Sequence, residues 1–311
     1  MILLTGASGC IGSYLLDELL NKTEYHVIAW VRDIDKLQIQ THPRLKIWTG
    51  GLENLETYKQ DLKQIKQFIH AATVWGGSHT FEINDRKTSK ILSYLDPDTC
   101  EHVHLFSTAS LLDSQHQFWP QAFGLGTDYI RSKASLYQRI HSRQKSETPT
   151  SWYFPTVVFG GDAHHSYSAV SESLPGLIAW IKFLSYLKVQ GYIHCIHARD
   201  IARIIVFRIK NNLAAEEIVL GNPAVSINEL IAILQQTQGL EPQKYQVNLD
   251  YILPPLVWGL QRSMSDWDRF SLKQKMTRYH SMNAKQYQLD MDLASTALCI
   301  QDCLKHAKSL C

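Results

Sequence analysis

Long hydrophobic runs are missing from this chain. The two longest apolar stretches, 174–187 and 251–260, are broken by Pro, Lys or polar residues and fall short of the roughly 20 residues that a membrane-spanning helix needs. A transmembrane helix is therefore not expected. Charge of one sign is missing too: 31 Lys and Arg stand against 29 Asp and Glu. The formal net charge of +2 is too small to argue for a nucleic-acid surface. Cysteine is sparse, and Cys10, Cys100, Cys195, Cys299, Cys303 and Cys311 follow no framework spacing. In a chain of 311 residues this pattern reads as reduced thiols and a cytoplasmic setting. The apolar run at residues 2–4 is followed at once by the first glycine, so no signal peptide is expected. Repeats and low-complexity tracts are absent, and a composition of 45% hydrophobic and 19% charged residues excludes wholesale disorder.

What is there is an alternation. In the first half, short β-branched runs at 1–5, 26–31, 45–48, 67–71, 102–107 and 151–155 alternate with amphipathic segments at 11–21, 55–63, 81–95 and 128–144. This order is expected of parallel strands joined by crossover helices. Ile11, Tyr14, Leu15, Glu18 and Leu19 repeat at three and four, so the first helix packs one face on the sheet. After Gly161 the texture changes to His, Ser and aromatic residues until the strand-like Glu217, Ile218, Val219 and Leu220. The expected fold is α/β: a doubly wound parallel sheet over 1–160 with a small C-terminal substrate-binding lobe over 161–311. Residues 198–235 are expected to share elements with the sheet body.

Between the first strand and the first helix stand Thr5, Gly6, Ala7, Ser8, Gly9, Cys10, Ile11 and Gly12. In that context the glycines read as a Rossmann dinucleotide cradle. Gly6 permits the tight turn, Gly9 lets the backbone approach a pyrophosphate, and Gly12 lets helix and strand pack closely. The anion meets unpaired N–H groups at the positive end of the helix dipole. The second strand ends in Arg32, where an NAD-specific protein carries an acid for the ribose 2′-hydroxyl. A guanidinium suits a 2′-phosphate instead, and Lys36 adds a second charge. NADP is the expected cofactor and NAD the alternative, since an arginine at a strand end beside Asp33 can also be a merely solvated charge.

Two glycine spacings of three make the chain resemble the extended short-chain dehydrogenase/reductases, the superfamily of the epimerases and dehydratases. The resemblance runs from residue 2 to about residue 235. It implies that Ala71 and Ala72, after His70, and Asn84, opening a helix, wall the cofactor. Tyr129, Ile130, Arg131, Ser132 and Lys133 match the family's Tyr-x-x-x-Lys, whose ends share a helix face. A free tyrosine has a pKa of about 10, and a neighbouring ammonium lowers it. Tyr129 would then exchange a proton with the substrate oxygen, while Lys133 biases that titration and holds the nicotinamide ribose. Thr108 is the implied hydroxyl that orients the substrate carbonyl, with Ser107 and Ser110 one strand-end shift away. Pro155 and Val158 belong to the segment beside the nicotinamide, in which the family's arginine and tyrosine are Phe154 and Phe159. A carboxylate common beside the adenine is replaced by Gly51.

Other signals carry less. His164, His165, His194 and His197 fit no metal-ligand spacing, nor do Cys299, Cys303 and His306, which lack a fourth ligand; no metal is expected. The aromatic and basic stretch 253–275 suits a lid over an apolar pocket, with surface docking to a membrane or a protein as the rival reading. The leading expectation is an NADP(H)-dependent oxidoreductase that acts on a carbonyl or alcohol of a small apolar substrate. It would be a monomer or homodimer with no nucleic-acid partner. A nucleotide-sugar epimerase or dehydratase holding NAD is the second expectation, and a non-catalytic NADP-binding assembly or sensor subunit the third.

Overall fold

The computed structural model describes residues 1–142, 148–241, 243, 246–248 and 264–307. Its strands in chain order are β1 (Ile2–Thr5), β2 (Val27–Val31), β3 (Leu45–Thr49), β4 (Gln67–His70), β5 (His102–Phe106), β6 (Thr150–Pro155), β7 (Val157–Phe159), β8 (Leu187–Lys188), β9 (Tyr192–Ile193), β10 (Cys195–His197), β11 (Glu217–Leu220), β12 (Val225–Ser226) and β13 (Val247–Asn248). The helices are α1 (Cys10–Lys22), α2 (Lys59–Leu62), α3 (Thr88–Leu92), α4 (Gln121–Gly124), α5 (Asp128–Ser142), α6 (Ala169–Ala179), α7 (Ile181–Leu184), α8 (Ala198–Lys210), α9 (Ile227–Thr237), α10 (Asp266–Lys273) and α11 (Thr296–Ala307).

Seven strands form one parallel sheet in the order β11-β6-β5-β4-β1-β2-β3. The order reverses between β1 and β4, and outside the carboxyl ends of the strands at such a switch point lies the crevice where α/β sheets take ligands. β1 is buried along its whole length, as a central parallel strand must be. Its side chains alternate: Ile2 and Leu4 join α1 and α8 in one core, and Leu3 joins Phe68, Trp152 and Leu136 in the core of the opposite face. Burying a side chain of this size contributes about 1.5–3 kcal/mol, so a charge at Leu3 or Leu4 would break the sheet at its centre. Residues beyond 160 supply β11, paired with β6, and α8, packed on α1.

Two expected helices differ from the sequence reading. Over 55–63 the chain forms a 3-10 segment, Leu52–Tyr58, that runs into the single turn of α2. Over 81–95 a π-helical segment, Glu82–Lys87, precedes α3. Its wider turn lets the adjacent Asn84 and Asp85 both be buried. Asn84 bonds the loop after β4, while Asp85 takes a bidentate pair from Arg139 at 2.9 and 3.0 Å and a bond from Ser135 at 2.7 Å.

A third core joins Phe159 to residues past Gly161: Leu174, Ile181, Cys195, Ile231, Leu234, Cys299, Ile300 and Cys303. Small pairings hold this lobe: β7 with β10, β8 with β13, and β9 antiparallel with β12. The chain then returns to the sheet. Met282 bridges Leu220, its N–H donating to the Val219 carbonyl at 2.8 Å and its carbonyl accepting from Gly221 at 3.0 Å. Residues 253–263 of the aromatic stretch, and Cys311, lie outside the described residues. No described helix is long and apolar enough to cross a membrane.

Candidate active site

The glycine turn is shaped by close approach. Gly6 has φ +77°, and a β-carbon there would fall 2.6 Å from the Ala72 nitrogen. The turn after β1 therefore lies directly against Ala71 and Ala72 after β4. On Gly12 a β-carbon would meet the Gly6 carbonyl oxygen, which ties the start of α1 to the turn. Gly9, at φ −88°, is the N-cap and brings no side-chain cap. The N–H groups of the first turn, from Cys10, Ile11 and Gly12, thus lack intrahelical partners. Ala7 is fully buried and joins the core that packs on α1. The Ser8 carbonyl accepts from Ser166 at 2.9 Å, which fastens the turn to the lobe.

At the end of β2, Trp30 stands beside Thr5 in register. Arg32 and Lys36 follow on the surface with no partner among the described residues. Asp33 is engaged elsewhere: its carboxylate caps the turn Ile34–Lys36, accepting from the Asp35 N–H at 3.0 Å. Position 51 gives a result that the sequence did not foretell. The Glu53 carboxylate fills the space where a Gly51 side chain would begin, so an acid stands there after all. Only the turn that folds Leu52–Tyr58 back brings it in, which no spacing announces.

Thr127 starts α5 by accepting from the Ile130 N–H at 3.4 Å, and Asp128 adds an acid to the first turn. Tyr129 follows, and Lys133 sits one turn on, within the buried stripe of Ile130, Ala134 and Leu136. Lys133 is 2% exposed, and its ammonium donates to the Phe106 carbonyl at 3.0 Å. Burial brings its pKa down to about 8 and pushes the Tyr129 phenol above its ordinary value. A buried environment disfavours each charged form. Thr108 stands two residues beyond Phe106, half-exposed, and caps the turn Ala109–Leu111 through Ser110, with the two hydroxyls 3.0 Å apart. The end of β5 thus holds Thr108 and Lys133 close together. Ser107 is buried and Ser110 exposed.

A residue not singled out from the sequence completes this group. Trp75 stacks on Tyr129 with ring centroids 4.5 Å apart, yet is 70% exposed. Asn84 holds it there: its Oδ1 accepts from the Val74 N–H at 2.8 Å, and its Nδ2 donates to the Val74 carbonyl at 2.8 Å and to Ser132 at 3.1 Å. Ser132 in turn donates to the Tyr129 carbonyl at 2.8 Å. The amide of Asn84 is spent on joining the loop to α5, so any effect on a cofactor passes through that loop. Pro155 is buried at the end of β6, and Val158 is half-buried in β7. Phe154 and Phe159 belong to two different apolar cores. Among the described residues no three His, Cys, Asp or Glu side chains are grouped to hold a metal ion.

The sequence profile of the NAD dependent epimerase/dehydratase family matches residues 2–221. No curated protein sequence matches the chain. Among solved structures, gox2253 superposes with a TM-score of 0.75 at 16% identity, covering 100% of this chain and 98% of its own. The dTDP-glucose 4,6-dehydratase of Bacillus anthracis, solved with NAD, gives 0.68 at 15% identity over 99% and 96% of the two chains. WbmH of Bordetella bronchiseptica, solved with NAD+, gives 0.59 at 16% over 80% and 85%. At these identities the likeness is one of fold.

Proposed function

We propose, from the premise that this chain belongs to the NAD dependent epimerase/dehydratase family, that it is an NADP(H)-dependent oxidoreductase acting on a carbonyl or alcohol of a small apolar substrate. The end of β2 carries this reading. Arg32 and Lys36 are exposed and unpartnered among the described residues, while the neighbouring Asp33 is occupied as a cap. A 2′-phosphate supplies the missing counter-charge, and the fork of a guanidinium matches it. The glycine turn suits the rest of a dinucleotide: Gly6 and Gly12 leave no room for β-carbons, and the uncapped start of α1 offers N–H groups to a pyrophosphate.

When bound, the dinucleotide supplies or accepts a hydride at its nicotinamide ring. The chain's own residues bind, orient and move the proton. In the reducing direction the Thr108 hydroxyl bonds the carbonyl oxygen, and Tyr129 donates its phenolic proton to that oxygen as the carbonyl carbon is reduced to an alcohol. Burial keeps the phenol in the neutral form that donation requires. The Lys133 ammonium, one turn away, stabilises the phenolate left behind, and Trp75 keeps water from one face of the ring. Alcohol oxidation runs the same transfers in reverse.

The second reading is a nucleotide-sugar epimerase or dehydratase that retains NAD. The solved dehydratase and WbmH, both holding NAD, favour it. Fluorescence titration separates the two. NADPH is expected to bind tighter than NADH by roughly one to two decades, the equivalent of about 1.5–3 kcal/mol for a charge-assisted contact, and Arg32→Asp is expected to remove the preference. Equal affinities, or NAD carried through purification with epimerisation of UDP-glucose, would move the assignment to the second reading.

A further inference from the structure

In the segment α6–α7 the buried positions Leu174, Ile181 and Ser185, with the half-buried Ile178, recur at four, three and four. That is one face of a helix, and it packs into the third core. On a surface helix the opposite face is ordinarily polar. Here it carries Trp180 at 66% exposure and Phe183 at 58% in mutual edge contact, flanked by Leu177 at 41% and Tyr186 at 44%. Val247 continues the patch, donating its N–H to the Tyr186 carbonyl at 2.7 Å and standing 48% exposed. A helix pair with apolar side chains on opposite faces but buried on only one leaves a face that water does not favour.

The charges beside this face say what covers it. Lys182 and Lys188 are exposed, and between Glu172 and Asp200 the chain has no acid. Glu172 lies in the first turn of α6, about two turns from Trp180. A two-fold contact between copies would bring the lysines of both segments into one interface with no carboxylate in either segment to pair them. Trp, Tyr and Lys around an apolar centre are the residue types that settle at a bilayer interface. No described helix spans a membrane, so attachment is at the surface.

We propose that the outer face of α6–α7 docks this protein on a membrane rich in anionic phospholipid, with Trp180 and Phe183 entering the headgroup boundary. The test is co-sedimentation of the full chain with vesicles of phosphatidylcholine alone or mixed with phosphatidylglycerol. Binding to the mixed vesicles is expected, weaker on phosphatidylcholine alone. It should fall at least about tenfold in Trp180→Ser/Phe183→Ser, since each ring removes a large apolar area from the interface. Lys182→Gln should lower it roughly fivefold, the share of one cation near an anionic surface. Thermal melting without vesicles should stay unchanged in all variants. Absence of vesicle binding, or equal binding by the parent and the double variant, overturns the proposal. So does a dimer that the double variant dissociates, which assigns the face to a second copy. A fall in melting temperature without lipid also overturns it, because the face would then be packed by the chain itself.

Discussion

Buried polar groups are handled differently in the sheet body and where the lobe meets it. In the body, beside the close pair of Asp85 and Arg139, neutral side chains bond in series: Thr5 to His70 at 2.8 Å and His70 to Thr88 at 2.9 Å, then Gln67 to His104 and His104 to Tyr153, both at 3.0 Å. At the junction, carboxylates face their partners at longer range: Arg203 lies 3.6 Å from Asp200, Arg199 lies 3.6 Å from Asp162, and the His197 imidazole, its pKa lowered by burial, lies 3.3 Å from Asp302. Short neutral bonds are directional, whereas ion contacts tolerate displacement and are weakened by salt. The body therefore holds the groups proposed to react in a fixed geometry, and the junction is expected to make the lobe's attachment respond to pH and salt.

The largest expected effect tests the body at the groups proposed to react. Tyr129→Phe keeps the ring and loses the hydroxyl, so turnover of a verified substrate should fall by about 10²- to 10⁴-fold. Lys133→Met should cost more and weaken NADPH binding as well. Because both act on one proton, the double variant should lose less than the sum of the free energies. Parental turnover by Tyr129→Phe would remove the catalytic assignment.

Next in size is the knot that Asn84 ties. Asn84→Ala leaves the Val74 N–H and carbonyl without their partner, at about 1–3 kcal/mol for each group left unpaired. Urea unfolding should show a loss of roughly 2–4 kcal/mol, together with a red shift of Trp75 emission as its stack on Tyr129 loosens. An unchanged midpoint would mean that the loop after β4 is held by something else.

Acid separates the two regions by sign. Burial holds His70 at about 3 and His102 at about 4, below the ordinary 6.5, so the unfolded chain takes up protons first. That stability is present above about pH 6.5 and is lost as the pH falls toward 4. Asp200 runs the other way. It is fully buried with neither oxygen hydrogen-bonded, and burial raises its pKa from 3.8 to about 6. The cost of its charge is present above that value and is relieved as the pH falls through it. Asp200→Asn should therefore stabilise the protein by roughly 1–3 kcal/mol at pH 8 and by much less at pH 4. Equal effects at both pH values would show that the charge is not the cause. The smallest effect belongs to Arg199→Gln, expected to cost under about 1 kcal/mol and to fade with added salt; a larger, salt-insensitive loss would make the junction as rigid as the body.

How far the sequence could be read follows the same division. The inner strands were visible because apolar runs buried on both faces need no partner to declare them. Gly6, Gly9 and Gly12, and Tyr129 with Lys133, were visible because helix period and turn sterics are local. Trp75 was not, since only the pairing of β4 beside β5 and the Asn84 amide bring it over a ring 54 residues away. Glu53 standing in for the side chain absent at Gly51 depends on a single turn. The lobe offered the least, because its strands are two or three residues long and too short for a period to emerge.

The bridge from Leu220 to Met282 has a consequence for recombination among relatives of this fold. A chimaera that takes its sheet body from one parent and its lobe from another at a single crossover near residue 160 would carry β11, α8 and the strand-edge contact of Met282 from the wrong parent. Exchanges that keep the parentage of 198–220 and 282–287 with that of 1–159 respect the contacts of α8 with α1 and with the turn Ala284–Tyr287. The lobe of this architecture is therefore open to grafting only in pieces, between the points where the chain re-enters the sheet.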